Sequence, residues 1–146
     1  YIFLSHQDDV ADADKYATQF GSQRIIHEAD LGAQPGAEIV IKGTDTVTIS
    51  SDQFKIIPTP GHSRGHCVLL YGNKFLFTGD HLYWDRSMKQ LAAFERYCWY
   101  SWDVQKESMK LLLNYDFEWV LPGHGQSVNL PADKMQKQLQ QLVERM

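Results

Sequence analysis

Residues 57–70 read IPTPGHSRGHCVLL, and this stretch organises both the predicted fold and the predicted site. Prolines and glycines frame His62 and His66 in a stiff turn, and the apolar run Cys67–Tyr71 that follows has the composition of a buried strand. A turn held at both ends by proline and glycine can keep an imidazole pointing in one direction, which is what a metal ligand requires. The stretch therefore predicts a metal-ligating histidine at the end of a strand.

Two later stretches repeat the pattern of a strand followed by a metal-binding side chain. Residues 75–80 read FLFTGD and end at Asp80, and residues 119–125 read WVLPGHG and include His124. Both begin with the apolar and aromatic residues typical of a strand. Three strand ends that each offer one ligand converge at one edge of a sheet, so we expect Asp80 and His124 beside His62.

Length and composition limit the class of protein. A chain of 146 residues with 43% hydrophobic residues can build one core, and we predict one domain over residues 1–146. The net charge of -4 argues against a protein that holds a nucleic-acid backbone by charge alone. No apolar run approaches the ~20 residues that a membrane span needs. We therefore expect a soluble, cytoplasmic protein that binds neither nucleic acid nor a membrane.

The remaining sequence predicts a mixed arrangement of helices and strands. A helix is expected over residues 10–20, with Asp9 as its N-cap. Alternating apolar residues over 37–58 predict an antiparallel meander. Further helices are expected over 101–114 and from Pro131 onward. Helices on the outer faces of a mixed sheet give a layered α/β sandwich.

The segment 81–100 is rich in aromatic side chains and has no clean periodicity. Its rings are those of Tyr83, Trp84, Phe94, Tyr97, Trp99 and Tyr100. Such a segment forms either a second layer of the core or a loop over a pocket. Of these two predictions we favour the core layer.

The three motifs together resemble a known protein family. The TPGH of residues 59–62, the FTGD of 77–80 and the LPGHG of 121–125 occur in the order found in the metallo-β-lactamase-fold superfamily, which includes glyoxalase II-like hydrolases. The resemblance covers nearly the whole chain. It implies an αβ/βα four-layer sandwich with a metal site at one edge of its two sheets. It also implies a hydrolase that uses a metal-activated water on an ester, thioester or phosphodiester of a small molecule.

The family's first motif is altered in this chain. In the family it reads His-x-His-x-Asp-His after a strand, whereas the corresponding residues here are His6, Asp8, Val10 and Ala11. The first histidine is retained, the second is replaced by an aspartate, and the two apolar residues cannot bind a metal. Asp9 is the alternative replacement for the lost histidine. A dinuclear centre is therefore not expected.

The resemblance implies a metal site with a single cation. One divalent ion would be bound by two imidazoles and two carboxylates, those of His6, Asp8, His62 and Asp80. This donor set suits Zn, Fe or Mn. His124 would belong to the second, depleted metal site. Asp80 would orient the attacking water, and His124 would act as a general acid or stabilise an oxyanion.

The lost ligands leave a second interpretation open. The chain would then be a non-catalytic or redox-associated domain that keeps the scaffold with a retired site and binds no metal. In that case His62 and Asp80 would hold loops together by hydrogen bonds. His66 is interpreted as a packing or hydrogen-bonding group at the start of a strand rather than as a ligand.

The start of the chain bears on its assembly. It begins with the strand-like YIFL rather than with Met, so we expect an N-terminally incomplete domain. Members of the family carry several strands before the first motif. Without those N-terminal strands the sheet would present an unprotected edge. We therefore expect either a homo-oligomer or a missing N-terminal segment to cover that edge.

Overall fold

The computed structural model describes residues 1–8 and 10–146. Its α-helices are α1 (Ala13–Phe20), α2 (Trp102–Leu111) and α3 (Ala132–Arg145). Its strands are β1 (Ile2–Phe3), β2 (Arg24–His27), β3 (Ile39–Ile41), β4 (Val47–Thr48), β5 (Phe54–Pro58), β6 (Cys67–Tyr71), β7 (Phe75–Gly79), β8 (Tyr83–Asp85), β9 (Gln90–Ala92), β10 (Trp119–Pro122) and β11 (Val128–Asn129). Asp9, expected as the N-cap of the first helix and as the alternative ligand, lies outside the described residues. Helix α1 begins later than predicted because Asp12 has a φ of 64°, which is incompatible with a right-handed helix.

The larger sheet brings the three motif strands together. Its strand order is β11-β10-β7-β6-β5-β4, in which β10 is parallel to β7 and the other neighbours are antiparallel. Because β7 and β10 run in the same direction, Asp80 and His124 follow them at the same edge. The start of β6 lies at this edge as well, since β6 is antiparallel to β7. The turn that carries His62 therefore reaches the same place.

A smaller sheet contains β1, β2 and β3, which are all parallel. The prediction of one antiparallel meander over 37–58 is wrong for β3, which pairs with β2, whereas β4 and β5 are antiparallel neighbours. Alternating apolar residues show which face of a strand is buried, but they do not identify the strand it pairs with. The connection between β2 and β3 contains a 3-10 helix, Glu28–Ala33, and such a crossover permits parallel pairing.

Two hydrophobic cores hold the larger sheet in place. The main core joins this sheet to α2 and α3 and includes Ile57, Val68, Leu70, Leu76, Met109, Leu112, Phe117, Val120, Met135 and Leu139. A smaller core between the two sheets contains Ile25, Ile41, Ile56 and Cys67. Truncating one large buried side chain to alanine costs about 2–5 kcal/mol. The strands that end at the site are therefore packed on both faces by buried side chains, and truncating one of these side chains would lower the free energy of unfolding by about this amount.

The aromatic segment does not form the predicted second core layer. Four aromatic residues follow the hairpin of β8 and β9. Their exposed fractions are 46% to 65%, and they are Phe94, Tyr97, Trp99 and Tyr100. The prediction of a core layer is therefore wrong for these residues. The reason is that the irregular chain between β9 and α2 leaves the sheet, so its rings pack on one another.

These sheets and helices confirm the mixed α/β arrangement predicted from the sequence. The single domain over residues 1–146 stays a prediction. None of the helices in the described part combines the length and the apolarity that crossing a bilayer requires.

Candidate metal centre

Three of the predicted ligands meet at one edge of the larger sheet. His6 follows β1, His62 lies in the turn between β5 and β6, and Asp80 follows β7. Their ligand atoms all lie within 4.8 Å of one another. His6 Nε2 and His62 Nε2 are each 3.7 Å from Asp80 Oδ2. This set, called the triad below, is close enough to hold one small cation.

Each of the two buried imidazoles of the triad has one ring nitrogen without a hydrogen-bond partner among the described residues. His6 is 5% and His62 is 2% exposed, and neither Nε2 atom has a hydrogen-bond partner in the described part of the chain. The Asp80 oxygen at 3.7 Å is beyond hydrogen-bonding distance. A buried polar group left unpaired costs about 1–3 kcal/mol. Two imidazole nitrogens and a carboxylate are donors that divalent transition metals accept, so the triad fits such a cation.

Burial keeps His6 in the form that binds metals. Desolvation lowers the pKa of His6 below its ordinary value, and this effect exceeds the opposing attraction of the Asp80 carboxylate. On the other side of the ring, Nδ1 lies 2.9 Å from Ser5 Oγ. A neutral imidazole has a free lone pair for a metal ion. His6 is therefore suited to donate through Nε2, the atom that faces Asp80.

Asp8 and His124 lie at the rim of the same site. Asp8 Oδ2 is 3.7 Å from His6 Nε2 and 3.5 Å from His62 Nε2. His124 Nε2 is 3.8 Å from Asp80 Oδ2, and the His124 side chain is 71% exposed. The structure thus brings together all five residues that the sequence singled out, with Asp8 and His124 accessible from the solvent side.

His66 holds the backbone of Asp80 in place through a hydrogen bond. The Asp80 backbone N–H donates a hydrogen bond to His66 Nε2 over 3.3 Å, and His66 Nδ1 lies 3.0 Å from Thr59 Oγ1. Complete burial, reinforced by His81, holds the pKa of His66 well below its ordinary value. A neutral His66 with its proton on Nδ1 donates to Thr59 and accepts from Asp80. It makes hydrogen bonds rather than facing the triad, as the sequence interpretation expected.

Glycines of the motifs allow the strand ends to approach one another. Gly79 has a φ of 49°, and a Cβ atom there would lie 2.6 Å from Ser5 Oγ and 2.8 Å from His66 Nε2. A Cβ atom on Gly123 would lie 3.0 Å from Asp80 Oδ1. Any larger residue at position 79 would therefore displace the groups that hold the triad.

Asp30 is a site residue that the sequence did not reveal. Its carboxylate, only 2% exposed, accepts hydrogen bonds from Ser63 Oγ, from the Gly65 N–H at 2.9 Å and from the Gln7 N–H at 3.1 Å. Ser63 and Gly65 lie one and three residues after His62, and Gln7 directly follows His6. One buried carboxylate thus ties the two histidine-bearing loops together. Within the sequence, Asp30 looked like an ordinary polar residue of a turn.

The His62 turn is also attached to the aromatic segment and to α2. The His62 carbonyl accepts hydrogen bonds from the backbone N–H groups of Trp99 and Tyr100 at 3.0 and 3.1 Å. Ser108 Oγ, on α2, donates to the Pro60 carbonyl over 2.6 Å. The position of His62 is therefore set by the backbone of the segment that follows β9 as well as by its own turn.

A cavity of about 400 Å³ opens in front of the triad. Its polar side chains are those of Asp8, His62, Asp80 and His124. The cavity is also lined by Leu82 and by four aromatic side chains that we call the aromatic wall, Tyr83, Phe94, Tyr97 and Trp99. This volume is at the small end of small-molecule binding sites. The arrangement suits a small molecule with one end at the triad and another against the rings.

Known proteins are similar to this chain in sequence and in fold. Residues 4–124 match the model of the metallo-beta-lactamase superfamily. A hydroxyacylglutathione hydrolase of Brucella ovis is 35% identical over 86 residues, which cover 57% of this chain and 34% of that protein. The hydroxyacylglutathione hydrolase of Acidiphilium cryptum is 30% identical over 78 residues, which cover 53% of this chain and 32% of that protein. The chain spans about a third of the length of these curated relatives.

Solved structures support the same assignment of fold. A metallo-beta-lactamase from Pontibacter korlensis superimposes with a TM-score of 0.64 at 18% identity, over 99% of this chain and 68% of that protein. At this identity the likeness concerns the fold alone. The family model, in contrast, extends from Leu4 to His124 and so includes the triad and both rim residues. The chain therefore belongs to the metallo-beta-lactamase superfamily.

Proposed function

We propose that this chain is a metal-dependent hydrolase that cleaves small-molecule esters or thioesters with a single divalent cation. Membership of the superfamily supports a hydrolase, and the relatives named hydroxyacylglutathione hydrolase support an acyl substrate. The observation that carries the proposal is the pair of buried nitrogens, His6 Nε2 and His62 Nε2, which have no hydrogen-bond partner in the described residues and face the Asp80 carboxylate.

The triad would hold the cation, with Asp8 as the fourth protein ligand. Asp8 Oδ2 lies as close to the two imidazoles as the Asp80 oxygen does. Two imidazoles and two carboxylates balance the charge of a divalent ion. When bound, such an ion would polarise a substrate carbonyl and lower the pKa of water toward ~7. Zn, Fe and Mn all accept this donor set.

The side chains of the site have complementary roles in the proposed hydrolysis. The attacking water gives up one proton to solvent as its oxygen bonds to the carbonyl carbon, and Asp80 accepts a hydrogen bond from its remaining O–H and so orients it. His124, at the solvent side of Asp80, donates a proton to the oxygen or sulfur that leaves as the acyl bond breaks. The hydrogen bond from the Asp80 backbone to His66 keeps the carboxylate in place during these steps.

Elemental analysis of the purified chain tests this proposal directly. We expect about one equivalent of Zn, Fe or Mn, and the loss of this metal in His62→Ala. His27→Ala is the matched control, since His27 is also buried but bonds to the Gly43 carbonyl and the Ala29 N–H outside the site. Hydrolysis of S-lactoylglutathione and of simple thioesters should follow the metal content.

The same measurement addresses the alternative of a non-catalytic or redox-associated domain with a retired site. A purified chain that takes up no metal and still unfolds cooperatively would favour that alternative. Uptake of one equivalent without hydrolysis of any tested ester or thioester would retain the metal site and reject the proposed reaction.

A further inference from the structure

The mechanism proposed above leaves the aromatic wall of the cavity unused. Its rings contact one another in series, since the Tyr83 and Phe94 centroids are 4.4 Å apart, those of Phe94 and Tyr97 are 5.5 Å apart and those of Tyr97 and Trp99 are 6.5 Å apart. Phe94, Tyr97 and Trp99 are 48% to 65% exposed. A contiguous group of exposed rings next to a cavity marks a binding surface rather than a core.

The aromatic wall begins directly beside the triad. The Trp99 and His62 ring centroids are 6.4 Å apart at an interplanar angle of 66°. The Trp99 backbone N–H also donates to the His62 carbonyl over 3.0 Å. A molecule whose reacting carbonyl lies at the triad therefore has its adjoining group within reach of Trp99.

The described lining of the cavity offers no lysine or arginine to bind an anionic substrate. Among the described lining residues the charged groups are the carboxylates of Asp8 and Asp80, together with His124 when it is protonated, and the lining includes no Lys or Arg. The Arg96 guanidinium lies over the ring of Tyr97, 5.7 Å from its centroid, and is not among the described lining residues. The carboxylates of glutathione would therefore find no lysine or arginine to pair with in this lining. A neutral, flat, apolar group matches the rings better.

We infer that the site takes a neutral ester or thioester whose scissile carbonyl adjoins an aromatic or similarly flat apolar group. That group packs against the rings of Phe94, Tyr97 and Trp99 while the carbonyl lies at the triad. The reaction in this inference rests on the proposed function, whereas recognition of the ring rests on the cavity alone. The two parts can therefore be tested separately.

Binding of neutral amides tests ring recognition without any reaction. We would titrate the chain with 2-naphthamide and with acetamide and follow the indole N–H resonance of Trp99, assigned by its loss in Trp99→Phe. We expect 2-naphthamide to shift this resonance and acetamide to leave it unchanged. The Kd of 2-naphthamide should rise about tenfold in Phe94→Ala. Phe94→Leu, which keeps apolar volume without the ring, should give a smaller rise.

Phe20→Ala provides the matched control for that titration. Phe20 is 67% exposed on α1 and is absent from the described lining of the cavity. Its removal should leave the Kd of 2-naphthamide unchanged. Absence of a Trp99 shift with 2-naphthamide, or equal effects of Phe20→Ala and Phe94→Ala, would overturn ring recognition whatever the chain hydrolyses.

The reaction is tested with S-ethyl thioesters of 2-naphthoate and of acetate, using the metal-loaded chain. Both substrates release the same leaving group, so the ratio of kcat/KM for the naphthoyl thioester to that for the acetyl thioester reports on the acyl group alone. We expect Phe94→Ala to lower this ratio about tenfold. If 2-naphthamide binds but neither thioester is hydrolysed, the proposed function fails and ring recognition stands. A higher kcat/KM for S-lactoylglutathione than for the naphthoyl thioester, unaffected by Phe94→Ala, would overturn the inferred substrate class.

Discussion

The triad and the aromatic wall adjoin each other at one cavity, yet they are built in opposite ways. His6 and His62 are almost fully buried and held by loops that Asp30 ties together. Phe94 and Trp99, in contrast, are at least half exposed and contact mainly other rings. Several independent hydrogen bonds therefore fix the loops that carry the candidate metal ligands, whereas the rings of the wall can be exchanged with little cost to the fold.

The largest effect is expected from Asp80→Ala, which removes the carboxylate that both histidines of the triad face. Asp80 Oδ2 lies within 3.8 Å of the Nε2 atoms of His6, His62 and His124, so its loss should abolish stoichiometric metal binding. We expect more than a 100-fold loss of affinity, beyond the ~10–100-fold typical of outer-shell partners. Competition with a chelator measures the metal affinity of each variant. Asp133→Ala, on α3, is the control, and an equal loss there would contradict the assignment.

A smaller effect is expected from Asp30→Asn, which keeps the size of the buried side chain but not its charge. One amide oxygen cannot accept from Ser63, Gly65 and Gln7 as a carboxylate does. We expect metal affinity to fall ~10–100-fold, with a changed absorption spectrum of bound Co²⁺.

Ser63→Ala removes one of the three hydrogen bonds and should have a weaker effect than Asp30→Asn. The affinity for 2-naphthamide should stay the same in both variants, because Asp30 is absent from the described lining of the cavity and its hydrogen bonds go to Gln7, Ser63 and Gly65. Equal losses of metal and amide binding would show that Asp30 supports the whole fold rather than the triad.

Two glycine-to-alanine substitutions separate the cost of backbone strain from the cost of steric crowding at the site. Gly79 and Gly21 both have positive φ, 49° and 60°, but a Cβ atom would collide only at Gly79, whereas nothing lies within 4 Å at Gly21. Gly21→Ala should cost roughly 1–2 kcal/mol from strain. Gly79→Ala should cost about 1–3 kcal/mol more from overpacking, measured by urea unfolding. Equal costs would mean that the neighbours of Gly79 move aside freely.

The smallest effect is expected outside both regions, at the exposed ion pair of Glu38 and Arg24. Hydrogen bonds from the Arg24 side chain and backbone lower the pKa of Glu38 from 4.5 to about 2. Since the folded pKa is depressed, the stabilisation is complete above pH 4.5 and is lost as the pH falls through about 2. The Tm difference between the wild type and Glu38→Gln should therefore shrink between these values. Metal affinity at neutral pH should not change.

Much of the site was predictable because it depends on strand ends. The motifs that contain His62, Asp80 and His124 each follow an apolar run, and neighbouring strands of one sheet bring such ends to one edge. The local sequence was enough to recognise each strand, and the order of the motifs identified the family. The replacement of a histidine by Asp8 was visible for the same reason, since the motif has a defined spacing.

Other features depend on contacts that no local pattern records. The pairing of β3 with β2 is decided by a crossover rather than by alternation. The hydrogen bonds of Asp30 join residues 23 to 35 positions apart in sequence. The exposure of Phe94 and Trp99 follows from where an irregular segment leaves the sheet, which composition does not determine.

The hydrogen bonds from Trp99 and Tyr100 to the His62 carbonyl have a practical consequence for redesign. Selectivity can be altered by exchanging side chains along this segment, because its ring atoms are separate from the peptide groups that anchor the turn. Insertions or deletions next to Trp99 would instead move the peptide groups that bond to His62 and so displace His62. A library that varies side chains at constant loop length should thus yield many active members, and one that varies loop length should yield few.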